Sequence, residues 1–127
     1  MPEPFEPKIK KNTSSLGRKG EERAASAIEA IGMSIIERNF RSQYGEIDII
    51  AVHEDTIIFI EVKAWSVFNI DNLQYSIDLR KQRKIIKTAK YFLCENRKYS
   101  NMSIRFDVIF VKEKQIKHLA SAFTESV

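Results

Sequence analysis

Two acids and an amine stand in an apolar setting. Within GEIDIIAV (45–52) and TIIFIEVKA (56–64), Asp48, Glu61 and Lys63 interrupt runs whose isoleucine, valine and phenylalanine content reads as buried strand. A charged group in such a run loses its hydration, so it needs a compensating partner or a chemical task. The spacing Asp-x12-Glu-x-Lys fits one task well. Two carboxylates supply hard oxygen ligands for a divalent cation, and a lysine beside them positions water or steadies developing negative charge, which are the requirements of phosphodiester hydrolysis.

The register of the two runs decides whether these groups can meet. A two-residue turn at Glu54 and Asp55, or a four-residue loop from His53 to Thr56, gives the same antiparallel hairpin, with paired residue numbers adding up to 109. Asp48 then faces Glu61, and Glu46 faces Lys63, all on one side because side chains alternate. Opposed Cβ atoms lie about 4.5 to 5.5 Å apart, a distance at which two carboxylates repel. A divalent ion between them meets that demand better than an ammonium shared with Glu46. With no His or Cys nearby, Mg²⁺ or Mn²⁺ fits better than Zn²⁺. The same spacing also suits a wet sheet face, with a cross-strand Glu46–Lys63 pair and a hydrated Asp48.

The elements that must position these residues follow from periodicity. A helix from Ser14 or Ser15 to about Ile31 carries Leu16, Ala24, Ala25, Ile28 and Ile31 on its apolar side and stops at Gly32, a residue suited to the left-handed C′ position. Its small Gly20, Ala24 and Ala27 permit close approach to a sheet. Strands are predicted over 33–41, 45–52 and 56–64. A second helix runs from about Ile77 to Asn96, where Ile85, Ile86, Ala89, Phe92 and Leu93 recur at the spacing of one face. A strand at 104–112 and a short one at 115–119 complete the order α-β-β-β-α-β-β. That order predicts an α/β fold with a central mixed sheet of about five strands flanked by helices. Residues 1–13, with three prolines and few apolar side chains, read as a flexible tail to a single domain over 14–127.

The chain has 127 residues and a formal charge of +4, and its isoelectric point near 9.2 directs attention to polyanions. Between Arg80 and Lys98 eight basic residues accompany one acid, so that segment is net +7 and the remainder net −3. Arg83, Lys87 and Lys90 lie opposite the apolar face of the second helix, where they could contact phosphates or simply be solvated. Trp65, Phe68 and Tyr75 could stack on bases, with core packing the alternative. A single cysteine, Cys94, excludes an internal disulfide and reads as a small core or half-buried residue. No segment has the length of a membrane span or a signal peptide, so a cytoplasmic protein is expected. His53 and His118 are too scattered to suggest a triad, and Asp107, two residues after Arg105, reads as a structural ion pair.

The motif Asp-x12-Glu-x-Lys on a hairpin after a helix resembles the PD-(D/E)XK superfamily of restriction-endonuclease-like nucleases. More closely, LGRKGEERAA, ERNFR, GEIDIIA, IFIEVKA, RKQRKI and RFDVIF resemble, in order, the blocks of an uncharacterised bacterial family of the YraN type (UPF0102), similar to archaeal Holliday-junction resolvases. The resemblance implies a restriction-endonuclease-like fold and a Mg²⁺- or Mn²⁺-dependent endonuclease acting on DNA, branched DNA included. By position, Asp48 and Glu61 would be metal ligands, Lys63 the catalytic lysine, and Glu21 a further acid near the metal. Gln82 matches a polar position near that site, and the basic residues read above from charge, Arg83, Lys87 and Lys90 with Lys81 and Arg41, would contact nucleic acid beside it. A homodimer is implied in the same way. Where that family usually has Arg two residues after the lysine, this chain has Trp65. The alternative function is a nucleic-acid-binding or partner-binding domain that keeps the nuclease fold without cutting.

Overall fold

The computed structural model describes residues 15–64 and 77–125, with side chains from residue 19 onward. The expected tail, and the segment carrying Trp65, Phe68 and Tyr75, lie outside the described residues. The first helix, α1, spans Ser15–Ala30. It ends in a Schellman motif: Gly32 takes φ +97°, its N–H donates to the Glu29 carbonyl, and the Met33 N–H donates to the Ile28 carbonyl. Met33 and Ile28 share the same core cluster, the apolar contact that accompanies this stop. Ile31, expected in the core, is 58% exposed because it lies past the last helical turn, where the helical face no longer dictates direction.

Strands β1 (Ser34–Ser42), β2 (Gly45–His53) and β3 (Thr56–Ala64) form an antiparallel meander. Then α2 (Leu79–Glu95) and a 3₁₀ turn at Arg97–Tyr99 carry the chain to β4 (Ser103–Lys112), which pairs parallel to β3. A parallel neighbour requires a long crossover, and α2 lies within it. Strand β5 (Gln115–Phe123) returns antiparallel to β4 and is longer than the sequence suggested. The result is a five-stranded mixed sheet in the order β1-β2-β3-β4-β5. Among the described residues no helix is long and apolar enough to cross a membrane.

The helices cover opposite faces. Ala24, Ala25 and Ile28 of α1 pack on Ile49, Ala51, Ile58, Ile60 and Ile109. Ile85, Ala89 and Phe92 of α2 pack on Ile50, Ile57, Phe59 and Phe106. The alternating numbers within β2 and β3 are the signature of strands buried on both sides. On the α2 side, rings run across the sheet: Phe40 meets Phe92 at 5.1 Å, Phe92 meets Phe59 at 6.1 Å, Phe59 meets Phe106 at 5.7 Å, and Phe106 stacks on Phe123 at 5.1 Å.

At the edge beside β5, Asp107 is fully buried. Arg105 grips it with two bonds of 2.8 Å, His118 Nε2 lies 2.6 Å from Oδ2, and the Ser121 N–H donates to Oδ1 at 2.9 Å. The expected Arg105 pair is present; the β5 partners had no sequence signal. Burial pushes the Asp107 carboxyl up, but the bonds from His118, Arg105 and Ser121, with the Arg105 charge, outweigh it and hold the group below the usual carboxylate range.

The packing makes three substitutions informative about stability. Gly45 has φ +151°, and a Cβ there would lie 3.3 Å from Thr88 Oγ1 and 3.6 Å from Lys84 Cβ. Gly45→Ala should therefore cost about 1 to 3 kcal/mol in urea denaturation. Gly20→Ala places its Cβ 3.5 Å from Val111, an ordinary contact, and should be neutral or stabilising by up to about 1 kcal/mol. Because the folded-state pKa of Asp107 is depressed, its contribution is present above the ordinary carboxylate pKa and is lost as pH falls through the lower folded value. Asp107→Asn should cost about 3 kcal/mol at neutral pH and flatten the acid limb of the stability curve below about pH 4.

Candidate metal and nucleic-acid site

The predicted hairpin register is present: Ile49 pairs with Ile60, Ile50 with Phe59, and so on to His53 with Thr56 across the two-residue turn. The ladder does not continue to Asp48 and Glu61. Alternation in an antiparallel pair makes Val62 the next residue due to donate across to β2. Its N–H instead donates to Asp48 Oδ2 at 2.8 Å. The acid takes the place of the ladder carbonyl where the two strands part.

The cause lies partly in β1. Asn39 adopts φ +54°, and beyond it the alternation breaks. Arg38 pairs with Glu22 on the α1 side, whereas Phe40 packs on Phe92 of α2. Opposite them on β2, Ile49 belongs to the α1-side cluster and Ile47 to the α2-side cluster. Asp48 sits between these two isoleucines, at the point of twist. It is only 4% exposed, a burial that its bond to a backbone N–H helps to offset.

Glu61 and Lys63 continue the parity of Phe59 and so lie on the α2 side, beside Val108 and Phe110 of β4. Both are half-buried. The Glu61 carboxylate meets the first turn of α2, where Lys81 Nζ lies 3.7 Å from Oε1. That turn is anchored twice: the N-cap Asp78 accepts the Lys81 N–H at 2.9 Å, and the Gln82 side-chain amide donates to the Ile77 carbonyl at 2.9 Å. Gln82, expected near the site as a contact to nucleic acid, thus helps to hold the helix start beneath it.

Glu21 comes from the other face. Gly20 packs against Val111, which pairs with Ala64, so α1 passes over the same end of β3 and β4 that carries Lys63. Among the described residues, however, no three His, Cys, Asp or Glu side chains gather closely enough to hold a metal ion on their own. The structure brings Asp48 and Glu61 to one end of the hairpin, with Glu21 on α1, which covers the face opposite to α2. Two hard carboxylates, one of them buried, with Lys81 3.7 Å from Glu61, are oxygen donors of the kind that Mg²⁺ or Mn²⁺ prefers. Mg²⁺ is commonly held by one or two carboxylates, with water and phosphate oxygens completing its shell.

The basic surface divides into held and exposed cations. Arg83 and Lys87 are exposed along α2. Lys90 is paired with Glu125 near the C-terminus, and Arg41, expected as a contact to nucleic acid, is bound through Nε to Glu46 Oε2 at 2.8 Å across β1 and β2. Cys94, expected half-buried, is exposed. The Asp48–Val62 and Lys81–Glu61 contacts escaped sequence reasoning because both arise where regular elements stop.

A family model described as "Uncharacterised protein family UPF0102" matches residues 20–111. Relatives carry the same description. A UPF0102 protein of Treponema denticola is 44% identical over 123 residues, covering 86% of this chain and 95% of that protein. One from Treponema pallidum is 41% identical over 124 residues, with coverage of 92% and 98%. One from Clostridium perfringens is 46% identical over 101 residues, with coverage of 80% and 82%.

Asp48→Asn keeps an oxygen for the Val62 N–H and removes a buried charge, so it should leave denaturant stability within about 1 kcal/mol of wild type. Asp48→Ala orphans that N–H and should be less stable than Asp48→Asn by about 1 to 3 kcal/mol in the same measurement.

Proposed function

Because the chain belongs to the uncharacterised protein family UPF0102, whose description assigns no activity, we propose its function from its own geometry: a Mg²⁺- or Mn²⁺-dependent endonuclease acting on DNA, branched DNA included. The observation that carries this reading is the Asp48 carboxylate bonded to the N–H of the residue that follows Glu61. It gathers two acids at one end of a hairpin whose Lys63 stands on the same side as Glu61. A five-stranded mixed sheet with helices on both faces suits the resemblance to restriction-endonuclease-like nucleases and Holliday-junction resolvases.

In this reading Asp48 and Glu61 hold the metal, with Glu21 approaching from α1 through water. The metal, when bound, supplies charge neutralisation and an activated water for attack on phosphorus. Lys63 orients that water or offsets charge on the phosphoryl oxygens. Arg83 and Lys87, with Lys81 at the head of α2, attract the backbone without reading sequence. Arg41 and Lys90, already paired, contribute less. Gln82 acts through the helix start. A four-way junction presents two equivalent strands, which two copies of the chain would cut symmetrically. The gap in the acid set among the described residues favours one other reading, a module that binds DNA and does not cut it.

The test is cleavage of a labelled four-way junction, single-stranded DNA and linear duplex in Mg²⁺ or Mn²⁺. Wild type should cut, chelation should abolish cutting, and Glu61→Gln and Lys63→Met should each lower the rate by about 100-fold or more. Binding without cutting by wild type would assign the inactive module. Cutting unchanged in both variants would remove these residues from the reaction.

A further inference from the structure

Lys81 Nζ lies 3.7 Å from Glu61 Oε1, yet the two groups differ sharply in their surroundings: the lysine side chain is 46% exposed and the glutamate 15%. The backbone of Lys81 is fixed, since its N–H is held by Asp78 and the following residue caps Ile77. Its four-carbon stem is free to swing from that anchor. A half-exposed ammonium 3.7 Å from a carboxylate is weakly held, and a divalent ion competes readily with it. Lys81 also stands where α2 meets the acids. Lys84 follows it by one turn, beside Gly45 at the start of β2, and the Arg83–Lys87 stripe runs on along the helix.

We propose that Lys81 is a displaceable counter-ion of the site, neutralising Glu61 before metal arrives and released to a backbone phosphate when a divalent cation takes that carboxylate. This rests on the metal site proposed above. It adds to the coupling that charge neutralisation of the acids already brings. The metal vacates a phosphate-binding ammonium, so metal and DNA strengthen each other's binding, and the coupling is reciprocal by linkage. Lys81 therefore acts first on Glu61 and then on the phosphate itself.

The test uses the full chain. Mn²⁺ binding is measured by titration calorimetry for wild type, Glu61→Gln, Lys81→Met and Lys87→Met. Junction binding is measured by fluorescence anisotropy in EDTA and in Ca²⁺. Lys81→Met should bind Mn²⁺ about two- to five-fold more tightly than wild type, the range set by the weakness of exposed ion pairs. Lys87→Met, on the outer stripe, should match wild type for Mn²⁺. Wild type should bind the junction more tightly in Ca²⁺ than in EDTA, and Lys81→Met should lose a measurable part of that gain. Lys81→Met with wild-type Mn²⁺ affinity, or with the full gain from Ca²⁺, overturns the proposal while the metal site stands. Glu61→Gln binding Mn²⁺ as wild type does overturns the site itself, and the proposal with it.

Discussion

The hydrogen bond from the Val62 N–H to Asp48 marks the place where two strands, paired in register as far as Ile49 and Ile60, begin to diverge. Helices cover both faces of this sheet, so a ladder that simply stopped would leave a buried N–H without a partner. Asp48 supplies that partner from its side chain, and in doing so admits a charged group to the sheet. The divergence frees the end of β3, where Glu61 meets α2 and Lys63 follows. The site is thus the controlled termination of a strand pair, and its geometry depends on a bond whose other function is to complete the backbone's hydrogen bonding.

Asp107 solves a similar problem differently. It too accepts a backbone N–H where pairing is irregular, at the register shift between Phe106 and Val108, with Ser121 held at φ +52°. There the carboxylate is closed off by a two-bond grip from Arg105 and by His118. A planar guanidinium matched to a carboxylate leaves little for a ligand to gain. Lys81, by contrast, is a half-exposed lysine 3.7 Å from Glu61, a looser match that a stronger cation can replace. The contrast separates an acid that serves the fold from an acid that can serve chemistry. Charge alone does not make that distinction, and neither does burial.

Most of the framework was legible from periodicity. Strands buried on both faces read as Ile, Val and Phe runs, the α2 face repeated at helical spacing, and Gly32 marked a stop that the Schellman bonds explain. The hairpin register was legible because the two-residue turn fixes it. Legibility failed where backbone geometry departs from the rule. The positive φ of Asn39 turns Phe40 and Ile47 to the α2 side, and nothing in ERNFR announces that turn. Glu46, expected opposite Lys63, is bound by Arg41 on the neighbouring strand, a pair that had no sequence signal. An edge strand was underestimated at β5, whose polar and small residues after Leu119 carry a weak strand signal. The partners of Asp107 on β5 were out of reach for the same reason, since a fourteen-residue separation to Ser121 has no periodic signature.

Charge on the molecule is segregated by element, and the segregation constrains any function. The acids belong to the sheet end, while Lys81, Arg83, Lys84 and Lys87 belong to the first half of α2. The N-terminus of that helix adds its own partial positive charge beside Glu61. A polyanion drawn along α2 is therefore led toward two carboxylates that repel it. With the acids uncompensated, attraction along the helix and repulsion at its head oppose each other, and the backbone would rest short of Asp48 and Glu61. A divalent cation bound there as proposed would reverse the sign at the head, because it carries two positive charges and can share oxygen ligands with a phosphate. The physical requirement for a productive approach is then the same as the requirement for tolerating two acids at the parting of β2 and β3.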